Sequence, residues 1–213
     1  MARRLIHEES FKNALLETFS LPIVACIETR PASVEALSKG ELDELARFSA
    51  EARRDSWLKG RAALKRLASA IGFGDDTSAL QFPHAKLSLT HSDAWAVAIG
   101  LNSPKVDGLG VDLEIRSIPK PEGARKYLNP SELVWLRRMD ELDHPRLLHR
   151  LWTVKEAIFK ADPDNKGKTL KDYALADPGF TAGKARRGPR LFHYASFEVP
   201  EGFLSVAVLP AVE

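Results

Sequence analysis

Three carboxylates in two short segments have the spacing of a site that binds a cation. Asp112 and Glu114 lie two residues apart in Gly-Val-Asp-Leu-Glu, and Glu156 follows in Trp-Thr-Val-Lys-Glu-Ala-Ile-Phe-Lys. Residues two apart in a strand point to the same face, and adjacent carboxylates repel unless a cation lies between them. Hard oxygen ligands suit Mg²⁺; zinc would need histidine or cysteine ligands that these segments lack. A polar face at a strand end would also explain the pair.

The segment that contains Glu156 has the apolar spacing of a long helix over residues 144–161. Trp152, Glu156 and Lys160 follow one another at intervals of four, so they lie along one side of that helix. An intrahelical Glu–Lys pair on an ordinary amphipathic helix is the alternative explanation. A site requires that this side face the carboxylates of the strand.

A histidine flanked by hydroxyl residues is the second feature with possible chemistry. Residues 86–92 alternate polar and apolar side chains, which predicts a half-buried strand that ends near His91. Thr90 and Ser92 place hydroxyls on either side of the imidazole, and these groups donate hydrogen bonds to anionic oxygens. The pattern favours a phosphate contact, although a histidine with satisfied hydrogen bonds at a strand end is equally compatible with it.

The elements that must position these residues repeat one plan in the two halves of the chain. The matching positions are Ser38 and Asn129, Glu41 and Glu132, Trp57 and Trp152, Arg61 and Glu156, and Lys65 and Lys160. We therefore predict an α+β fold of two similar lobes, residues 1–105 and 106–213, related by a pseudo-twofold axis. Each lobe would contain a small antiparallel sheet packed by a long helix. Chance similarity between two amphipathic helices is the alternative.

Composition and charge exclude several functional classes. The chain has 213 residues, 44% hydrophobic and 28% charged, and its net charge of +2 is too small for a general nucleic-acid binder. A single cysteine, Cys26, excludes an internal disulfide. No apolar run approaches the ~20 residues that span a bilayer, and the N-terminus does not resemble a signal peptide. These observations predict a cytoplasmic protein with no membrane partner.

A basic segment near the C-terminus completes the set of charged features. It contains Lys184, Arg186, Arg187 and Arg190 between glycines. Basic runs of this kind are usually solvated. We interpret the segment as a solvent-facing turn.

Four segments, in this order, resemble the motifs of the 4′-phosphopantetheinyl transferases of the surfactin-synthetase type. They are Gly60-Arg-Ala-Ala-Leu64, Leu87-Ser-Leu-Thr-His-Ser92, Gly110-Val-Asp-Leu-Glu114 and Trp152-Thr-Val-Lys-Glu-Ala-Ile-Phe-Lys160. The last two motifs, taken as a pair, are highly specific. The length of the chain is similar to that of the two-lobed, pseudo-dimeric members and exceeds that of the short, trimeric carrier-protein synthases.

The resemblance implies a Mg²⁺-dependent transfer of the 4′-phosphopantetheine arm of coenzyme A to a serine hydroxyl of an apo acyl or peptidyl carrier protein, with release of 3′,5′-ADP. The implied Mg²⁺ ligands are Asp112, Glu114 and Glu156. The implied contacts to coenzyme A are Arg61, Thr90, His91, Ser92, Lys155 and Lys160. Glu156 and Glu132 are both candidates for the base that takes the serine proton, and Lys160 would act on the reacting phosphates.

One family feature is absent. The usual Gly-Lys-Pro adenine loop is replaced by residues 78–86, which contain Gln-Phe-Pro-His at 81–84, so Phe82 or Lys86 would have to serve in its place.

Two alternative functions remain open. They are a non-catalytic module that binds coenzyme A or a nucleotide, and a Mg²⁺-dependent phosphoesterase. Two fused lobes would make a monomer sufficient. The sequence does not identify the carrier protein.

Overall fold

The computed structural model describes residues 7–92, 94–116 and 119–211, and the predicted lobe limits at residues 1 and 213 lie outside these ranges. The helices are α1 (Glu8–Phe19), α2 (Lys39–Leu45), α3 (Glu51–Ala70), α4 (Pro130–Leu136) and α5 (His144–Ala161). The strands are β1 (Val24–Glu28), β2 (Leu87–His91), β3 (Ala96–Gly100), β4 (Val106–Ile115), β5 (Ala174–Leu175), β6 (Ala182–Arg187), β7 (Arg190–Val199) and β8 (Gly202–Pro210). None of the described helices is both long and apolar enough to cross a membrane.

The strands form two antiparallel sheets, which confirms the predicted α+β class. The first sheet has the order β1-β3-β2 and is packed by α3, and the second has the order β4-β8-β7-β6-β5 and is packed by α5. An apolar cluster joins the two sheets, with Phe11 and Leu15 of α1 and Val97 of β3 packed together with Val111 and Leu113 of β4. The two sheets therefore share part of one core.

Hydroxyl side chains connect the edges of the two sheets. Strand β4 lies at the edge of its sheet, where backbone N–H groups would otherwise lack partners. The amide of Val111 donates to Ser88 Oγ at 3.0 Å, and the amide of Leu113 donates to Thr90 Oγ1 at 3.1 Å. Because Ser88 and Thr90 belong to β2, this contact fixes β2 beside the strand that carries Asp112.

Two glycines allow α5 to lie directly on the backbone of β4. A Cβ atom at Gly110 would be 1.9 Å from the carbonyl oxygen of Ala157, and one at Gly108 would be 1.8 Å from that of Ala161. Real Cβ atoms are never this close to a backbone oxygen, so no side chain fits at either position. The Gly in Gly-Val-Asp-Leu-Glu is thus required by the approach of the helix.

The basic segment of residues 184–190 is solvent-facing only in part, since Lys184 and Arg186 are exposed as predicted but Arg187 and Arg190 are not. It forms the end of β6 and the start of β7, and these last two arginines hold a carboxylate from the end of α5. Asp162, which is fully buried, forms ion pairs with Arg187 and Arg190 and accepts a hydrogen bond from the Tyr173 hydroxyl at 2.8 Å. A buried carboxylate requires such partners, and the arginines supply them.

Both lobes contain a capped short helix whose glutamate is buried. Ser38 and Glu41 form a capping box at the start of α2, and Asn129 and Glu132 form one at the start of α4. Each glutamate also accepts the backbone N–H of a residue that follows its lobe's long helix, Thr77 at 3.0 Å for Glu41 and Leu175 at 2.9 Å for Glu132. This shared arrangement supports the internal repeat.

We predict that Gly110→Ala destabilises the fold by about 2–3 kcal/mol because the added methyl group overpacks the contact between β4 and α5. Urea unfolding would measure the change in the free energy of unfolding. Gly123→Ala is the matched control, since a Cβ there would have no neighbour within 4 Å. Equal stability of the two variants would show that α5 can move away from β4 without cost.

We also predict that Glu41→Gln destabilises the protein at pH 7 by about 2 kcal/mol and by much less at pH 3. Burial alone would raise the pKa of Glu41, but hydrogen bonds from Thr77, Lys65 and the main chain of Ser38 lower it below the ordinary value of 4.5. The stability that the carboxylate contributes is present above that ordinary value and is lost as the pH falls through the lowered pKa.

Thermal or urea unfolding at the two pH values would check the Glu41 prediction. Glu17→Gln, on the exposed side of α1, is the control for a change of one charge. A loss of stability in Glu41→Gln that is the same at pH 3 and pH 7 would contradict the proposed role of the carboxylate charge.

Candidate active site

A cavity of about 640 Å³ opens where β2, β4 and α5 meet. It is lined by Phe82, Pro83, Ser88, Leu89, Thr90, His91, Ser92, Asp112, Leu113, Glu114, Glu156, Phe159, Lys160 and Asn165. This lining contains the three predicted carboxylates, Lys160 and the three residues at the end of β2. Residues that are far apart in the sequence are therefore brought to one cavity, with the acidic groups on β4 and α5 and the hydroxyl and imidazole groups on β2.

Asp112 is the most deeply buried of the three carboxylates. The residue is 5% exposed, and its Oδ1 atom accepts a hydrogen bond from Lys160 Nζ at 2.7 Å and a longer one from Thr90 Oγ1 at 3.4 Å. Its Oδ2 atom is buried and has no hydrogen-bond partner among the described residues. A buried carboxylate oxygen without a partner is costly, so Oδ2 is an available ligand atom.

Glu114 and Glu156 lie near Asp112 and are affected by its charge. Burial and the negative charge of Asp112 raise the pKa of both carboxyls, and Lys160 partly opposes the rise. Glu114 Oε1 also accepts a hydrogen bond from Trp152 Nε1 at 3.1 Å. Neighbouring carboxylates whose charges raise the pKa of Glu114 and Glu156 form a place where a cation is favoured.

The three carboxylates do not form a finished metal site. Within residues 7–92, 94–116 and 119–211, no three His, Cys, Asp or Glu side chains are arranged so that they could hold a metal ion. The prediction that the three carboxylates converge on one point is corrected accordingly. Lys160 donates a hydrogen bond to Asp112, and the Trp152 indole donates one to Glu114. The donor set still fits Mg²⁺, because it supplies carboxylate oxygens and one of them is buried without a partner.

His91 is the last residue of β2 and lines a second cavity of about 500 Å³. Its Nδ1 atom lies 2.9 Å from Ser56 Oγ. Burial and the positive charge of Lys160 lower the pKa of the imidazole. Ser92, the next residue, uses its Oγ to accept the backbone N–H groups of Ala94 and Trp95 at 3.3 and 3.2 Å, so it shapes the turn as well as lining the cavity.

Arg61 lies outside the main cavity. Its guanidinium forms an ion pair with Glu44, donates to Thr77 Oγ1 at 2.8 Å and stacks 4.6 Å from the Trp57 ring. These contacts join α3 to α2 and to the loop after α3. A contact between Arg61 and a phosphate would require the arginine to leave these partners, and that contact remains only a prediction.

Lys155 and Glu132 lie outside the lining of the main cavity, where their predicted roles would place them. Instead of reaching phosphates, Lys155 is fully buried, with Nζ at 2.7 Å from Glu132 Oε1 and a further hydrogen bond to the Tyr173 carbonyl. Glu132 is 1% exposed, and its two oxygens accept from Lys155, Leu175 N and Asn129 N. This pair fixes α4 and the start of β5 to α5, so we leave both residues out of the proposed site.

The sequence suggested Phe82 and Lys86 as substitutes for the usual adenine loop, and the structure separates them. Phe82, 46% exposed, lines the cavity. Lys86 is not in the lining, because its Nζ is held by the Ser103 and Val106 carbonyls. Asn165, whose side chain donates to the Phe159 carbonyl at 3.0 Å, also lines the cavity and was not identified from the sequence, because it lies in a loop whose composition gives no signal.

One family model matches part of the second half of the chain. Residues 108–195 match the family model of the 4′-phosphopantetheinyl transferase superfamily. The matched range contains Asp112, Glu114, Glu156 and Lys160, and it begins after the β2 residues of the cavity. No match was found among curated proteins.

One similar solved structure is the holo-[acyl-carrier-protein] synthase of Thermotoga maritima. It is 18% identical, and the alignment covers 51% of this chain and 66% of that one, with a TM-score of 0.41. The alignment thus spans slightly less than two thirds of the synthase.

We predict that Trp152→Phe raises the pKa of Glu114 further, because the variant keeps an aromatic ring and loses the indole hydrogen bond that lowers this pKa. A ¹³C NMR titration of the side-chain carboxyl groups would measure the change. Trp135→Phe, in α4 and packed against the core of the second lobe, is the matched control. An unchanged titration of Glu114 in Trp152→Phe would show that the indole does not act on the carboxylate.

Proposed function

We propose that this protein transfers the 4′-phosphopantetheine arm of coenzyme A to a serine hydroxyl of an apo carrier protein and releases 3′,5′-ADP. The observation that carries the proposal is the single cavity in which Asp112, Glu114, Glu156 and Lys160 meet the hydroxyl and imidazole groups of β2. The family match over residues 108–195 supports it, because the match includes all four of these residues. Carboxylates for a cation and donors for phosphate oxygens are what transfer from a pyrophosphate requires.

Asp112, Glu114 and Glu156 would hold Mg²⁺, with Asp112 Oδ2 as the atom that most lacks a partner. When bound, Mg²⁺ would neutralise negative charge on the pyrophosphate of coenzyme A and on the departing 3′,5′-ADP. Trp152 orients the carboxylate of Glu114 through its indole N–H. Thr90 fixes the backbone of Leu113 between the two acidic residues of β4.

Lys160 supplies positive charge at the mouth of the same cavity. Its side chain is 31% exposed, and its Nζ donates to Asp112 Oδ1 at 2.7 Å and to the Val111 carbonyl at 3.3 Å. A lysine held in this way stabilises negative charge that develops on phosphate oxygens, because it is already oriented before the reaction. His91, beside it, contributes a further donor.

Glu156 is the carboxylate that can accept the proton of the attacking serine. It lines the cavity in which the serine hydroxyl would meet coenzyme A, and it belongs to the carboxylates that would hold Mg²⁺. Glu132, the other candidate from the sequence, is buried and bonded at both oxygens. We therefore assign the proton to Glu156.

The proposal extends to the type of transferase, its oligomeric state, its location and its partner. The two capping boxes with buried glutamates support the two-lobed, surfactin-synthetase type. A monomer and a cytoplasmic location remain predictions. The partner is an apo acyl or peptidyl carrier protein.

We predict that Asp112→Asn lowers the rate of transfer by about 100-fold or more while the protein stays folded. The measurement is the intact mass of an apo carrier protein after incubation with coenzyme A, Mg²⁺ and each variant. Asp107→Asn, on the same strand and exposed, is the matched control and should keep the activity. EDTA should abolish the mass gain with the parent protein.

Other outcomes of the mass experiment would replace the proposal. Tight binding of coenzyme A with no mass gain on fatty-acid and peptide carriers would indicate a binding module. Cleavage of coenzyme A without modification of the carrier would indicate a phosphoesterase. A near-normal rate in Asp112→Asn would remove this carboxylate from the mechanism.

A further inference from the structure

The imidazole of His91 is held by one face of α3. Its Nδ1 atom lies 2.9 Å from Ser56 Oγ. One turn further along the helix, a Cβ at Gly60 would lie 3.6 Å from His91 Cδ2, an ordinary van der Waals distance, so this edge of the ring lies beside α3. Two positions four apart on α3 thus lie next to the two atoms that flank Cγ of the ring.

This arrangement directs the far end of the ring away from α3. The contact with Ser56 occupies Nδ1 and leaves Nε2, on the other side of the ring, as the nitrogen that a ligand can reach. His91 lines the main cavity and also the second cavity, whose other walls include Arg53, Ser56 and Trp57. The ring therefore stands at the junction of the two cavities, with one nitrogen fixed and the other available.

The charge state of His91 and its contact with Ser56 together determine which nitrogen carries the proton. Burial and the nearby Lys160 lower the pKa of His91, so the ring is largely neutral near pH 7. A neutral imidazole has one N–H group and one lone pair. If Ser56 donates its hydroxyl hydrogen to Nδ1, the single N–H lies on Nε2 and can donate to an anionic oxygen. The opposite tautomer would present a lone pair to that oxygen and repel it.

We propose that Ser56 is a positioning residue that holds His91 in the Nε2–H form, so that the neutral ring donates to a phosphate oxygen of coenzyme A. The proposal rests on the proposed function, since it requires that coenzyme A enters this cavity. Ser56 itself acts through His91. Its hydroxyl, rather than its size, carries the effect.

The test compares Ser56→Ala with Ser56→Thr, which keeps the hydroxyl, and with Ser69→Ala, a loss of hydroxyl at the exposed end of the same helix. Long-range ¹H–¹⁵N NMR would report the tautomer of His91, with the resonances assigned by His91→Gln. Isothermal titration calorimetry with coenzyme A, without carrier protein, would report affinity. We expect Ser56→Ala to show a mixture of tautomers and about fivefold weaker binding. Ser56→Thr and Ser69→Ala should match the parent.

Two results would overturn the inference. One is a His91 spectrum in Ser56→Ala that shows the same Nε2–H tautomer as the parent together with unchanged affinity. The other is a loss of affinity that Ser56→Thr does not restore. Failure of the proposed function is distinguishable, because the parent protein would then give no mass gain on the carrier protein whether or not it binds coenzyme A, while the NMR comparison would still decide whether Ser56 sets the tautomer.

Discussion

The contact between α5 and the backbone of β4 is the constraint on which the site depends. Gly108 and Gly110 have no side chain, so the carbonyls of Ala161 and Ala157 lie directly against the strand. Because α5 lies this close to β4, the turn that carries Glu156 and Lys160 reaches the same cavity as Asp112 and Glu114. A helix held away from the sheet by side chains at these two positions would leave Glu156 and Lys160 further from the strand.

The cavity concentrates charge that the rest of the fold must stabilise. The charge of Asp112 raises the pKa of Glu114 and of Glu156, and Lys160 alone among the described lining residues carries an opposite charge into the cluster through an ion pair. Repulsion within a cluster costs stability that packing elsewhere offsets. The buried ion pairs at Glu132 and Asp162, on the other side of α5, keep the helix in place while its acidic side faces the cavity.

Local patterns in the sequence predicted the elements well. The helix of residues 144–161 has the bounds that its apolar spacing indicated, and both capping boxes lie where Ser38 and Asn129 precede a glutamate by three residues. The alternation around His91 predicted a strand that ends at this histidine. Such patterns depend on neighbours within one or two turns, which the sequence contains in full.

Side-chain partners far along the chain could not be predicted in the same way. The motif resemblance implied Lys155 as a coenzyme A contact, but one step along a helix rotates a side chain by about 100° away from Glu156, and Lys155 points to Glu132 and to the backbone of Tyr173. Arg61 likewise meets Thr77 through the fold of the loop after α3. The hydrogen bonds of Ser56 and Trp152 depend on tertiary contacts that no spacing reveals.

The hydroxyl contacts between β2 and β4 have a consequence for how this protein behaves in solution. They occupy the amides of an edge strand without extending the sheet, because Ser88 and Thr90 contribute side chains to Val111 and Leu113 and no strand backbone. An edge blocked in this manner cannot recruit a strand from a neighbouring molecule. The two hydroxyls that shape the cavity wall are therefore expected to protect the protein against edge-to-edge aggregation. Separation of β2 from β4 would expose unpaired backbone N–H groups of β4 beside the acidic cluster.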